Sequence, residues 1–345
     1  MIISRTPFRV SFFGGGTDYR GWFQEHGGAV LTSTINYYCY LTCRFLPPFF
    51  EHRSRIVWSQ IEMVQDHGSI IHPVVKAILG HLGIERGVEI FHHGDLPARS
   101  GLGSSSAFTV GLLHALNALL GKLSSKRELA ELAIMVEQQL LKENVGVQDQ
   151  IETAFGGLNR IDIRTDGTFE VRPVVLPARR MSDLQNRLAM FYTGISRHAS
   201  EIAAEQVAAI PKSATKLHSI RAMVNHAESI LASGDLADFG RILHESWMMK
   251  KSLSPRIAPT EVDEMYDKGR AAGATGGKLL GAGGGGFLLF YVEPELKPQL
   301  IKSLSPLLHV PIEFDRSGTQ IIFYEPDEVA GRLDPGAFGR VAFDR

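Results

Sequence analysis

Residues 97–107, Pro-Ala-Arg-Ser-Gly-Leu-Gly-Ser-Ser-Ser-Ala, constrain this chain more than any other stretch. They join a short apolar run, Val88 to Phe91, to a long helical pattern, Ala107 to Leu120. Small residues ahead of a helix let backbone N–H groups converge on an anion, and the helix N-terminus adds about half a positive charge. Gly101 and Gly103 lack the Cβ atoms that would block a phosphate, while Ser104, Ser105 and Ser106 bring hydroxyls for a phosphate or a hydrated metal. A serine-capped helix start would look the same in isolation, so the neighbouring motifs decide.

Two further glycine clusters flank this loop in the sequence, Gly14-Gly15-Gly16-Thr17-Asp18 and Gly281-Ala282-Gly283-Gly284-Gly285-Gly286. The 35 glycines in 345 residues exceed the usual ~7%, and the excess lies in these loops. Each cluster abuts an apolar strand or helix, as expected where backbone closes on a polyphosphate and a polar substrate. A Walker A loop would need Gly-Lys followed by Ser or Thr, but Gly121-Lys122 and Gly277-Lys278 are each followed by Leu. No GxGxxG opens the first strand–helix turn with an acidic residue ~20 positions on, which disfavours a dinucleotide-dependent oxidoreductase.

The balance of 36 basic against 37 acidic residues argues against a general polyanion binder, so no nucleic-acid partner is expected. Arg5 and Arg9 interrupt the apolar core a signal peptide needs, and no apolar run reaches the ~20 residues of a membrane helix. A soluble, cytoplasmic protein without a membrane partner is expected. Cys39 and Cys43 share one face of a strand-like run and are too few for a zinc site or a disulfide scaffold. They read as buried, reduced thiols.

Strand-like segments dominate the first hundred residues: Val10–Phe13, two strands joined near Asn36 within Ala29–Phe45, Ile56–Met63 and Val88–Phe91. Strand edges near residues 30–60 leave a homodimer open. Helical patterns follow at His72–Leu82, Ala107–Leu120 and Lys126–Leu141, the last opening on Ser125 and Glu128, spaced as a capping box. Strands are expected at Leu158–Ile163, Phe169–Val175 and Leu188–Tyr192, with a domain boundary in Pro173–Arg180. Four helices, Ser200–Ala209, Ala214–Ala232, Leu236–Ser252 and Thr260–Ala272, precede a loop, Gly273–Gly286, and the apolar strand Phe287–Val292. The pattern is α+β, with domains at 1–175 and 181–345.

Acidic residues complete a phosphoryl-transfer set, which needs a group to orient or deprotonate a hydroxyl, a metal for the phosphates, and cations. Asp149, between a helix and a small-residue stretch, suits the base, with Arg9 as its neighbouring cation. Ser105 and Glu137 suit Mg²⁺ ligands, and Asp18 follows the first glycine cluster. The alternatives are ordinary: a mid-helix glutamate on a solvated face and an arginine as surface charge.

At these residues the chain resembles the GHMP kinase superfamily, named for galactokinase, homoserine kinase, mevalonate kinase and phosphomevalonate kinase. Thr6-Pro7-Phe8-Arg9-Val10 with Gly16-Thr17-Asp18-Tyr19 resembles its first signature, Pro97 to Ala107 its central one, and Lys278 to Gly286 its last. Within it, the chain is similar to the D-glycero-D-manno-heptose 7-phosphate 1-kinase family at Arg9–Asp18, Gly27–Leu31, Asn144–Gln150 and Tyr192–Arg197. Gly14-Gly15-Gly16 stands where a galactokinase would carry Gly-Glu-His, which counts against galactose.

The resemblance implies an N-terminal domain of the ribosomal protein S5 domain 2 type, with a left-handed βαβ unit, and a ferredoxin-like C-terminal domain. It implies ATP-dependent phosphorylation of the anomeric hydroxyl of heptose 7-phosphate, giving the 1,7-bisphosphate for GDP-heptose and surface polysaccharide (capsule or lipopolysaccharide). By motif match, Asp149 and Arg9 take the catalytic positions, and ATP phosphates lie on Pro97, Arg99, Ser100, Gly101, Leu102, Gly103, Ser104, Ser105 and Ser106. Mg²⁺ falls to Ser105 and Glu137. The sugar falls to Gly15, Gly16, Thr17, Asp18, Gly283 and Gly284, with Lys278 near the last cluster and Arg197 and His198 for the 7-phosphate. The rival readings are a fucose or mannose 1-kinase and a catalytically silent sugar sensor.

Overall fold

The computed structural model describes residues 1–47, 49–195, 204–205, 207–208 and 210–326. The first lobe begins with β1 (Ile2–Phe13), α1 (Arg20–His26) and β2 (Gly28–Phe45), the two strands pairing antiparallel. A hairpin, β3 (Ser54–Val57) and β4 (Ile61–Val64), leads through α2 (Pro73–Leu82) into β5 (Val88–Gly94), which lies parallel to β3. Three helices follow: α3 (Ser104–Leu119), α4 (Lys126–Met135) and α5 (Gln148–Phe155). The hairpin of β6 (Leu158–Ile163) and β7 (Phe169–Pro173) then docks on β2.

The second lobe runs through α6 (Ala178–Asn186), β8 (Leu188–Tyr192), α7 (Ala214–Ser233), α8 (Leu236–Lys251) and α9 (Thr260–Ala271). It continues with β9 (Gly276–Leu279), β10 (Phe287–Tyr291), α10 (Lys297–Ser303) and β11 (Leu308–Val310). Its antiparallel sheet has the order β11-β8-β10-β9. The sheet positions are fourth, first, third, second in chain order, with helices after the first and third strands, as the ferredoxin-like expectation requires. The chain then returns: β12 (Gln320–Tyr324) pairs with β1, giving the first sheet the order β12-β1-β2-β5-β3-β4.

Several expected boundaries move. Residues 29–45 form one 18-residue strand with Gly28, not two strands. Asn36 makes no turn, because Asn36 N donates to Glu313 O at 2.9 Å and its side chain accepts from Glu313 N at 2.8 Å. Asn36 is thus held sideways by a distant segment. β2 and β3 are paired on both sides, so the exposed edge expected near residues 30–60 lies instead at β4, where Ile61 and Met63 are exposed. The loop expected over Gly273–Gly286 contains β9, because glycine here serves close packing: a Cβ on Gly276 would sit 1.8 Å from the Gly240 carbonyl of α8.

Helix α3 starts at Ser104, three residues before the apolar pattern, and α4 carries the expected capping box of Ser125 and Glu128 before passing into a π-turn at Val136–Leu140. Cys39 and Cys43 are buried and free. The helix expected over Ser200–Ala209 falls largely outside the described residues, among which no helix is long and apolar enough to cross a membrane.

Phe239 of α8 joins the lobes. Its ring meets Phe12 at 5.5 Å and Phe13 at 5.2 Å, both edge-to-face, and Tyr291 at 5.8 Å. All four rings are fully buried. Phe239→Ala should cost about 3–5 kcal/mol of stability. Urea unfolding measures it, and a loss below about 1 kcal/mol would mean that α8 is not anchored through this ring.

Candidate active site

Arg9, buried on β1, and Asp149, in the first turn of α5, form the centre of the site. Arg9 Nε donates to Asp149 Oδ1 at 2.8 Å and Nη2 to Oδ2 at 2.7 Å, a bidentate pair. The third nitrogen, Nη1, donates to the Gly101 carbonyl at 2.6 Å, and Arg9 N donates to the Leu102 carbonyl at 3.0 Å. One arginine therefore registers the carboxylate against the glycine–serine loop. Ser11 Oγ donates to Gln148 Oε1 at 2.8 Å, and Gln148 Nε2 donates to Asp149 Oδ1 at 3.1 Å. Asp149 was expected beside a helix; it lies within one, near the N-terminus of α5. Its side chain keeps 28% exposure, so the carboxylate faces the cleft.

The loop is closed from behind by the third glycine cluster. Gly101 has φ +83° and its Cβ would sit 2.4 Å from the Leu280 carbonyl, so only glycine lets the two loops meet. Gly103 ends the loop as the N-terminal cap of α3. Pro97 and Arg99 are exposed at the rim, and Ser100 is buried with an unpartnered Oγ. Leu102 offers only backbone, its side chain being fully buried. Ser104 Oγ accepts from Arg99 N at 3.3 Å.

The expected metal pair of Ser105 and Glu137 is rearranged. Ser105 is exposed on the first turn of α3, whereas the buried Ser106 Oγ donates to Glu137 Oε2 at 3.0 Å. Gln150 Nε2 donates to the same oxygen at 2.5 Å, and Glu137 Oε1 meets no hydrogen-bond partner among the described residues. Burial pushes the Glu137 carboxyl up to about 7, against the hydrogen bonds from Gln150 and Ser106 that lower it. A buried carboxyl with a vacant oxygen, behind a serine-lined helix start, fits a divalent cation.

On the other side of Asp149 stands Asp18. Gly16 N donates to its Oδ1 at 2.9 Å, and a Cβ on Gly146 would sit 1.8 Å from its Oδ2, so a side chain there would displace the carboxylate. Burial raises the Asp18 carboxyl above its ordinary range, and the Asp149 charge adds to the rise. Gly15 and Gly16 line the same turn, and Gly16 borders a recess with Tyr19, Ile210, Ser213, Leu217 and Leu253.

Two sugar-site expectations change. Thr17 is fully buried and its hydroxyl lies 2.8 Å from the Gly14 carbonyl and 3.0 Å from that of Ala29, which holds the turn shut. Gly284 N donates to the Ile257 carbonyl at 2.9 Å, and Gly283 packs on Ile257, so this pair packs within the second lobe. Arg197 and His198 lie outside the described residues. Lys278 is buried and donates to the Phe12 carbonyl at 2.9 Å. Lys250, at the end of α8, is a buried lysine that sequence reasoning passed over, since nothing distinguishes it from Lys251 beside it.

Comparison with known proteins gives two family-model matches: GHMP kinases N terminal domain over residues 69–157 and GHMP kinases C terminal over residues 227–304. The chain is 28% identical over 316 residues to the D-glycero-alpha-D-manno-heptose 7-phosphate kinase of Campylobacter jejuni, covering 88% of this chain and 93% of that protein. It is 30% identical over 228 residues to the L-fucokinase/L-fucose-1-P guanylyltransferase of Bacteroides fragilis, covering 64% of this chain and 24% of that protein. The crystal structure of a D-glycero-D-manno-heptose 1-phosphate kinase from Bacteroides thetaiotaomicron superposes with a TM-score of 0.77 at 25% identity, covering 93% of this chain and 98% of that one.

Glu137 predicts a pH signature. Its folded pKa, about 7, lies above its ordinary 4.5, so its contribution to stability is complete below pH 4.5 and is lost as pH rises through 7. Glu137→Gln should therefore gain on the wild type between pH 5 and 8 by on the order of 3 kcal/mol in metal-free urea unfolding. A difference that stays flat with pH would show that this carboxyl is not buried.

Proposed function

The chain belongs to the GHMP kinase family and is a phosphotransferase acting on a sugar hydroxyl, and on that premise we propose that it phosphorylates the anomeric hydroxyl of D-glycero-D-manno-heptose 7-phosphate, giving the 1,7-bisphosphate. The phosphoryl donor is ATP. The observation that carries the reading is the Arg9 node, which fixes a carboxylate at the mouth of an anion-binding loop. Phosphoryl transfer asks mainly for alignment and charge stabilisation, and this node supplies the first.

In the proposed mechanism the loop N–H groups and the start of α3 receive the phosphates. Asp149, oriented by Arg9, accepts the proton of the sugar hydroxyl. Asp18 and the Gly15–Gly16 turn hold the remaining hydroxyls. Mg²⁺ held by Glu137 with the serine hydroxyls of 105 and 106 would neutralise phosphate charge. Heptose 7-phosphate is favoured because the C. jejuni relative that carries that name aligns over nearly its whole length. L-Fucose stands second, on the match to part of the B. fragilis enzyme.

ADP release with ATP·Mg²⁺ against heptose 7-phosphate, mannose, fucose, galactose, mevalonate and homoserine tests the reading. Heptose 7-phosphate should exceed free mannose by at least about tenfold in kcat/KM, since an unmatched charged group costs more than a kcal/mol or so. Fucose turnover alone would replace the substrate but keep the kinase. Asp149→Asn should lower kcat by about 10³-fold or more while ATP still binds. Preserved turnover in that variant would remove Asp149 from the chemistry.

A further inference from the structure

The cleft between Asp18 and Asp149 carries more positive than negative charge. Arg9 is bound to Asp149 and to the Gly101 carbonyl. Lys278, on β9, meets the Phe12 carbonyl, and Lys250, in the last turn of α8, donates to the Gly281 carbonyl at 2.5 Å. Lys250 is 9% exposed and Lys278 3%. No carboxylate pairs with either lysine among the described residues. The charges acting on Lys250 are those of Arg9, Asp18 and Asp149, and those acting on Lys278 are Lys250, Arg9 and Asp18. Three cations thus share two carboxylates, and burial holds Asp18 toward its neutral form. Glu152, one turn beyond Asp149, adds little, because burial pushes its carboxyl up to about 8.

An ammonium withdrawn from water with only a carbonyl beside it costs several kcal/mol. Burial, then the Arg9 charge, lowers Lys250 to about 8, and Lys278 goes further down under burial and the charges of Lys250 and Arg9. The site is short of one anion, and its geometry says where the anion belongs. Lys250 bonds to Gly281, whose loop packs on Gly101 of the phosphate loop, whereas Lys278 points to a carbonyl inside the first lobe. Lys250 also stands at a helix C-terminus, where a cation is favoured.

Resting on the kinase reading, we propose that Lys250 is a catalytic residue whose ammonium meets the phosphoryl group as it passes from ATP to the sugar hydroxyl. In that step the sugar oxygen forms a bond to the γ-phosphorus, the bond from that phosphorus to the β–γ bridging oxygen breaks, and ADP leaves. The hydroxyl proton goes to Asp149, and Lys250 keeps its own. Charge spreads over the equatorial oxygens during the transfer, and a fixed cation there is worth most when water is excluded. Arg9, engaged on three sides, is not free to supply it.

The test compares wild type, Lys250→Met and Lys250→Arg on the same sugar panel. Methionine removes a buried charge while nearly keeping the volume, so the variant should fold at least as stably as the wild type. Its kcat on the preferred sugar should fall by about 10²-fold or more, with the calorimetric Kd for ATP·Mg²⁺ within about threefold, and arginine should restore at least about tenfold. A kcat for Lys250→Met within about threefold of wild type overturns the proposal. So does weakened ATP binding in proportion to the lost rate, or a lowered melting midpoint, either of which would make Lys250 a structural tie to Gly281. Wild type inactive on every sugar refutes the kinase reading instead.

Discussion

The guanidinium of Arg9 is the contact on which the site depends. It lies within the first sheet, yet its three nitrogens reach the start of α5 and the loop before α3. Both partners are fixed by one rigid fork, so their spacing does not rest on loop packing. Removing the carboxylate would leave the buried Arg9 guanidinium without its counter-charge, which is costly. Asp149 at the N-terminus of α5 adds a helix dipole to the same end. The Asp149 carboxylate is thus placed by two elements, the Arg9 fork from β1 and its own helix α5.

Around that node, the glycines act chiefly as places where backbones touch. Gly101 abuts the Leu280 carbonyl and Gly276 abuts the Gly240 carbonyl, each at a distance that excludes a side chain. At Gly101 and Leu280 the lobes therefore meet through main chain, as they do through the aromatic contacts of Phe239 with Phe12 and Phe13. Such contacts stiffen the loop between β5 and α3 by fixing its backbone against the second lobe.

Local chemistry made much of this legible. The capping box of α4, the β8 strand and the pairing of Arg9 with Asp149 follow from residue types and spacing, or from the motif match. What escaped was set by distant partners. The continuity of β2 through Asn36 depends on residues near 313, and β9 is a strand because α8 presses on its glycines. Among three adjacent serines, sequence could not tell that helix geometry turns Ser106 inward to Glu137 and Ser105 outward. Thr17 reads as a sugar ligand beside Asp18, yet the tight turn uses its hydroxyl internally. Lys250 carries no local signal, because burial of a lysine at a helix end is decided by a loop some thirty residues on, where Gly281 offers its carbonyl.

The return of β12 to β1 gives the chain an order of assembly. Residues 320–324 complete the sheet that the first residues begin, and Asp315 and Glu313 bond to Thr34 and Asn36 on β2. A ribosome must therefore release nearly the whole described chain before the first strand gains its outer neighbour. Until then β1 is an open sheet edge, the kind of surface that recruits foreign strands. The second lobe, with its four-stranded sheet already made, is finished earlier than the lobe that precedes it in sequence. Folding of this protein closes at its beginning.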